Sequence, residues 1–395
     1  MHCRPLTIYA QYEDRLLYQE PPRSRRDGAC HHSQGQLSVE QGHEVAIITT
    51  DTMGRKPFFP LHPSIQQIDL GVNYDCIDTS SRLKKYSALY RYKRRHKQLL
   101  TQCLRELRPD VVISTGYQDF SFLPSIKDGS IKITESHGSW GKTVSAYRFP
   151  ATNYLRRFLS WWAERSFART SARYTRTVLL THEDAELWGD RLKRVEVIYN
   201  IMPITSERVA PLQAKRCIAV ARFAHEKNLR DTLDIWAMVS KKHPDWRLDI
   251  YGEGYLHDQL MHQLRELHLE DSCALHTPTN TITEEYLSSS VLLMTSQTEG
   301  LPMVLLEAQE LGLPSVCYAF LCGARDVIEE APEAPGFVVP YGDKAAFAEC
   351  LERLMADEEL RQQMGRAAKA NAQRFAPEVI LPQWDRLFRS LVSSK

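Results

Sequence analysis

The sequence predicts an α/β protein built from two doubly wound domains in succession. Short apolar strands alternate with helical patterns along most of the chain, as in parallel sheets covered on both faces. At 395 residues the chain is too long for one ordinary hydrophobic core. The alternation breaks near residues 200–211, where Pro203 and Pro211 interrupt it, so one unit is expected over 1–200 and the next from 201.

In the first unit, apolar runs predict strands at 44–50, 65–70, 110–114, 130–135, 177–181 and 195–199. In the second they fall at 216–221, 246–251, 272–276, 291–296, 315–318 and 337–339. Helical spacing of apolar residues between them marks 228–241, 256–267, 345–355, 358–375 and 379–392. Ligand sites in such sheets lie at the carboxyl ends of the strands. Residues 8–39 are polar and irregular, with Pro21-Pro22-Arg23-Ser24-Arg25-Arg26 among them. They are not expected to supply a buried central strand, although 6–9 has some strand character.

A hydrophobic content of 43% and a charged content of 25% describe a soluble globular chain, and a net charge of +1 says nothing by itself about partners. No apolar run approaches the ~20 residues of a spanning helix, and Met1-His2-Cys3-Arg4-Pro5 opens no signal peptide. Nine cysteines without a C-x-x-C pair suggest neither a zinc site nor a disulfide framework. A reduced cytoplasmic chain is the expectation.

The stretch from Glu299 to Glu307 is the most informative part of the chain. An apolar strand leads into Glu299-Gly300-Leu301-Pro302, and an apolar helical run carries on to Glu307. Strand, sharp turn and helix place backbone N–H groups at a helix N-terminus, which suits an anion. A helix starting near Pro302 would put Glu307 about one turn in, facing the same crevice as Glu299. Alternatively, Glu299 only compensates the helix dipole and Glu307 is a solvated helix residue. The apolar neighbours Val304, Leu305, Leu306 and Leu311 argue against the second option, because a buried carboxylate needs a partner.

This block resembles the E-x7-E motif of the retaining glycosyltransferases of family 4. Supporting matches are Val220-Ala221-Arg222-Phe223-Ala224-His225-Glu226-Lys227-Asn228, Ile250-Tyr251-Gly252-Glu253-Gly254, Val197-Ile198-Tyr199-Asn200 and Gly42-His43-Glu44-Val45. The resemblance implies the GT-B fold, two Rossmann-like domains facing a central cleft. It implies a nucleotide-sugar domain over 201–376 and a final helix, 377–395, crossing back to the first domain. In this family Glu307 would bind the ribose hydroxyls and Glu299 would lie beside the donor sugar. Arg222 and Lys227 are suitable cations for a departing diphosphate, and the N–H groups after Gly300, where the turn Gly300-Leu301-Pro302 leads into the helix, would add fixed dipoles. His137, in Thr134-Glu135-Ser136-His137-Gly138, resembles the family's histidine near the reacting centre. The implied reaction moves a hexose with retention from a UDP- or GDP-sugar to a saccharide or lipid-linked acceptor, with no metal or other cofactor.

Two basic segments bear on the acceptor. Residues 82–97 hold Lys84, Lys85, Arg91, Lys93, Arg94 and Arg95 with Tyr86, Tyr90 and Tyr92; residues 154–176 hold Arg156, Arg157, Arg165, Arg169 and Arg173 around Phe158, Trp161, Trp162 and Phe167. They suit an anionic membrane surface, here the inner face, or a lipid-diphosphate acceptor. The other reading is a solvated helix face with its aromatics packed inward. Nucleic acid is not expected, since the rest of the chain balances the charge.

The N-terminus departs from the family, which opens with an apolar strand and a Gly-Gly-x-Glu-Arg-Val loop. Arg25-Arg26-Asp27-Gly28-Ala29-Cys30-His31 can be encoded so that reading one base later gives Gly-Gly-Met-Glu-Arg-Val. A reading-frame slip restored near 37–39 is therefore one explanation, and the nucleotide sequence decides it. Two rival functions stand beside this one: a GT-B nucleotide-sugar epimerase, which would use a similar cleft without an acceptor, and a non-catalytic sugar-nucleotide-binding remnant, which the abnormal N-terminus favours.

Overall fold

The computed structural model describes residues 7–12, 39, 42–50, 61–77, 82–115, 118–138 and 154–394. Among these residues the strands form two all-parallel sheets. The first contains Thr7–Tyr12 (β1), Glu44–Thr49 (β2), Gln66–Asp69 (β3), Val111–Ser114 (β4), Ile131–Ser136 (β5), Arg176–Leu179 (β6) and Val195–Val197 (β7), in the order β3-β2-β1-β4-β5-β6-β7. The second contains Arg216–Val220 (β8), Arg247–Tyr251 (β9), Cys273–His276 (β10), Val291–Met294 (β11), Ser315–Tyr318 (β12) and Gly336–Val339 (β13), in the order β10-β9-β8-β11-β12-β13. Strand order reverses between β1 and β4 and between β8 and β11, which are the crevices where doubly wound sheets hold ligands.

One expectation is corrected. The N-terminal segment does supply a central strand: β1 pairs with β2 from Thr7 to Tyr12 and with β4 from Ile8 to Gln11. Its β-branched and aromatic residues suit a strand, and β2 and β4 leave a ladder position between them that only a paired backbone can fill. The motif at 25–31 lies outside the described residues.

Strand alternation feeds two cores in the second sheet. Leu293 packs with Leu233, Trp236 and Phe347 on one face, while Leu292 packs with Leu305, Leu306 and Leu311 on the other. In the first sheet, Val112 and Ile48 pack against Leu100 and Leu104 of the helix Arg82–Leu107. Val111, Ile113, Ile131 and Ile133 face the other way, onto Ile380, Trp384, Leu387 and Phe388. Those four residues form one stripe of the helix Pro377–Ser393, which thus returns from the second sheet to cover the first.

Candidate active site

The site is assembled at the carboxyl ends of β8 and β11. After β8, Phe223 donates its N–H to the Glu253 carbonyl at 2.7 Å. A Cβ at Gly252 would stand 1.9 Å from the Ala221 carbonyl oxygen, and one at Gly254 2.5 Å from that of Phe223. The two glycines therefore let the loop after β9 press against the loop after β8. The chain then makes one 3-10 turn, His225–Lys227, ended by Asn228 in the left-handed region at φ 49°. This aims Lys227 along the crevice, where Nζ donates to Oε1 of Glu299 at 2.5 Å. Arg222 sits nearer the solvent, half exposed, and donates to Oε1 of Glu226 at 2.9 Å.

β11 stops at Met294, two residues short of the expected end. Thr295 leaves the ladder because its hydroxyl pairs with that of Thr232 at 2.7 Å and reaches the Asn228 carbonyl at 3.0 Å. The segment then runs beside the loop after β12: the Glu299 N–H donates to the Leu321 carbonyl at 3.1 Å. The helix that follows is Met303–Glu310, so Pro302 is its N-cap and not a residue of its first turn, a shift of one position from the expectation. Its carbonyl accepts the Leu305 N–H at 2.9 Å. Gly300 and Leu301 form the turn between, with Leu301 buried.

Glu307 is buried, and its Oε2 accepts the Tyr286 hydroxyl at 2.8 Å. The partner demanded by burial is thus a phenol from the helix Ile282–Leu287. Three residues on, Glu310 takes an ordinary structural role, accepting from Lys369 at 2.7 Å and from the Ser206 N–H at 2.9 Å.

His137 follows β5 in the other domain and reaches this turn through its backbone. A Cβ at Gly300 would lie 2.6 Å from the His137 carbonyl oxygen, so only glycine allows the approach. The carboxyl ends of β5 and β11 therefore meet here. The His137 ring lies beside the buried Glu135, with Nε2 to Oε1 at 3.4 Å. Of the expected residues, the structure brings Lys227, Glu299 and Gly300 together with the His137 backbone. It sets Glu307 behind them on Tyr286 and leaves Arg222 at the rim. Sequence reading assigned no role to Glu226 and Glu135, although both lie in the blocks 220–228 and 134–138, and it missed Tyr286, for which no motif gives a signal.

The two basic segments are now separable. Tyr86 and Tyr90 are about 70% exposed, at 71% and 70%, and Phe158, Trp161 and Trp162 also face solvent. Arg165 lies over the Trp161 ring at 5.3 Å. Phe167 alone of the second group turns inward, stacking on Phe120 and Trp188. The inward-packed reading therefore fails for most of these aromatics. Among the described residues, no helix is long and apolar enough to cross a membrane.

Two family models match the chain: "Glycosyl transferases group 1" over residues 204–371 and "Glycosyltransferase Family 4" over 36–205. An amylovoran biosynthesis glycosyltransferase, AmsD of Erwinia amylovora, is 35% identical over 219 residues, which are 53% of this chain and 61% of that protein. The chain thus spans about three fifths of the length of that relative. An uncharacterized glycosyltransferase of Haemophilus influenzae is 28% identical over 353 residues, 88% of this chain and 91% of the relative. Among solved structures, a point mutant of S. aureus TarM, in complex with fondaparinux, alpha-GlcNAc-glycerol and UDP, superposes with a TM-score of 0.74 at 13% identity. The match covers 97% of this chain and 99% of TarM, and the likeness is one of fold, GT-B.

Proposed function

The chain belongs to the glycosyltransferases, group 1 and family 4, and from that premise we propose that it moves a hexose from a UDP- or GDP-sugar to a saccharide or lipid-linked acceptor, with retention, in polysaccharide or glycoconjugate synthesis. The observation that carries the proposal is the Lys227–Glu299 pair at the switch point of the second sheet. A cation and a carboxylate that neutralise each other there form an exchangeable pair. An arriving diphosphate competes for Lys227, and the released Glu299 turns to accept hydroxyl groups of the donor sugar.

In this reading Glu307, oriented by Tyr286, accepts the ribose hydroxyls. Lys227 and Arg222 stabilise the charge that grows on the β-phosphate as the glycosidic bond breaks, so no metal is needed. The N–H groups at the start of Met303–Glu310, after Gly300, Leu301 and Pro302, point at the same phosphate. His137 lines the sugar from the other domain. Bond breaking and acceptor attack occur on one face of the sugar, the leaving phosphate takes the acceptor proton, and the protein supplies no nucleophile. The outward Tyr86, Tyr90, Phe158, Trp161 and Trp162, with the basic residues of their segments, would rest on an anionic membrane surface that presents the acceptor.

Calorimetry with UDP and GDP, followed by release of free sugar from UDP- and GDP-hexoses, tests the proposal. UDP is the first nucleotide to try, because TarM holds it. Binding of one nucleotide that is lost in Glu307→Ala supports the assignment. A Glu307→Ala variant with unchanged affinity and turnover sinks it.

A further inference from the structure

The two domains hold each other by a reciprocal exchange of carboxylates and backbone N–H groups, away from the Lys227–Glu299 pair but wired to it. The helix His182–Trp188 follows β6 in the first domain. Its first N–H groups are taken by the fully buried Asp326 of the second domain, His182 on Oδ1 at 2.6 Å and Glu183 on Oδ2 at 3.2 Å. The Tyr199 hydroxyl also donates to Oδ1, at 3.1 Å. In return, Oε2 of Glu183 accepts the Cys322 N–H at 3.0 Å and the Gly323 N–H at 3.3 Å. Outside this exchange, Arg325 forms a two-pronged ion pair with Glu186 at 2.6 and 2.7 Å.

The loop that Glu183 grips is the one that borders Glu299. Leu321 accepts the Glu299 N–H at 3.1 Å and donates to the Gln297 carbonyl at 3.4 Å. Gly323, at φ +107°, lies so close to Pro302 that a Cβ would stand 2.5 Å from the Pro302 Cδ. A short chain of contacts therefore runs from Glu183, through 321–323, to both ends of the turn Glu299–Pro302. Burial raises the pKa of the Glu183 carboxyl, opposed by the Gly323 and Cys322 N–H groups, which marks a contact maintained against a desolvation cost.

We propose that Glu183 is a positioning residue for the donor site. From the first domain it holds the Cys322 and Gly323 N–H groups, and through that loop it sets the turn carrying Glu299 and Pro302. Donor-binding geometry then depends on the domains being docked through Glu183 and Asp326. This rests on the reading of 299–307 as a nucleotide-sugar site.

The geometry makes an asymmetric demand on the two acids. Glu183 uses one oxygen for both donors, and the carbonyl of a glutamine supplies the same acceptor. Asp326 uses both oxygens against three donors, so an asparagine would turn an NH2 group towards an N–H. Calorimetry on the full chain with UDP and with GDP, well below the melting temperature of each variant, reads the difference. For the nucleotide that the wild type binds, Glu183→Ala and Asp326→Asn should each weaken affinity by about tenfold and Glu183→Gln by less than about twofold. A Glu183→Ala variant that melts earlier but binds with wild-type affinity has lost only structure and overturns the proposal. Equal losses in Glu183→Gln and Glu183→Ala overturn it too. If Glu183→Ala does not fold, Asp326→Asn against Glu183→Gln decides, and equal affinities are fatal. A wild type that binds neither nucleotide overturns the functional reading and this inference with it; wild-type binding that Glu183→Ala leaves intact overturns the inference alone.

Discussion

Lys227 donates to Glu299 at 2.5 Å across 72 residues of sequence, and both side chains are largely buried, at 15% and 7% exposure. The two charges proposed for the diphosphate and for the donor sugar thus neutralise each other. Breaking a buried pair from one side leaves an uncompensated charge, so Lys227→Ala or Glu299→Ala should each cost about 3 kcal/mol of stability by chemical denaturation. The double variant Lys227→Met/Glu299→Gln should recover most of that loss. Lys227→Ala should also reduce turnover by roughly 100-fold or more, the scale of one lost donor at a developing oxyanion. Additive stability losses would show that the pair is not coupled.

Tyr286 and Glu307 form the second relationship. Tyr286→Phe removes the hydroxyl that Oε2 accepts, with no change in packing volume to speak of. It should cost about 1–3 kcal/mol, the penalty for a buried acceptor left without its donor. Nucleotide affinity should fall as well, because Glu307 loses its orientation. Calorimetry and thermal unfolding on the same sample check both effects. Wild-type affinity in Tyr286→Phe would separate Glu307 from the donor.

Gly300 is set against the His137 carbonyl, and a methyl there has no room. Gly300→Ala should displace the turn or part the two strand ends, at a cost of about 1–3 kcal/mol. Turnover of a sugar donor should fall more than nucleotide affinity does, since the residues proposed to contact the nucleotide all belong to the second domain. An equal loss of both in steady-state kinetics and calorimetry would contradict this.

Asp119 gives a pH signature unrelated to the site. It is buried, neither carboxylate oxygen has a hydrogen bond of ordinary geometry, and burial pushes its carboxyl up from 3.8 to about 6. The folded chain then keeps a proton that the unfolded chain has lost, so this group's contribution to stability is full below pH 3.8 and is lost as pH rises through about 6. Asp119→Asn removes the effect. The stability gained by the variant over the wild type should widen between these two pH values and level off above them, reaching on the order of 3 kcal/mol. Parallel stability–pH curves would refute the assignment.

The outward ring faces of Trp161 and Trp162 carry the membrane proposal. Wild-type protein should float with vesicles containing anionic lipid and far less with neutral ones, given ~1 kcal/mol per basic residue near such a surface. Trp161→Ala/Trp162→Ala should weaken flotation without lowering donor hydrolysis in solution. Equal flotation with both vesicle types would leave no electrostatic component.

Much of the fold was legible because it is written in local periods. Leu292 and Leu293 alternate between two cores, and Ile380, Trp384, Leu387 and Phe388 recur at helical spacing. The twelve expected strands are all present, with ends moved by up to a few residues where a side chain such as Thr295 takes over a backbone's bonding. β1 escaped the reading because a central strand is stabilised by two neighbours that lie 37 and 103 residues or more away in the chain, as Thr7 with Glu44 and Ile8 with Val111 show.

By itself the sequence determined that the chain is two doubly wound sheets, that Glu299, Lys227 and Arg222 follow strand ends and that Glu307 stands in the helix after Glu299. Strand and helix periodicity and turn chemistry act over a few residues, and they are readable there. Only the tertiary structure decided which charge meets which group. It set Lys227 on Glu299, Tyr286 on Glu307 and Glu183 on the N–H groups of Cys322 and Gly323, a pairing across 139 and 140 positions. Such partners are chosen by burial, which makes an unsatisfied polar group costly wherever it lies in the chain. No local pattern records that choice.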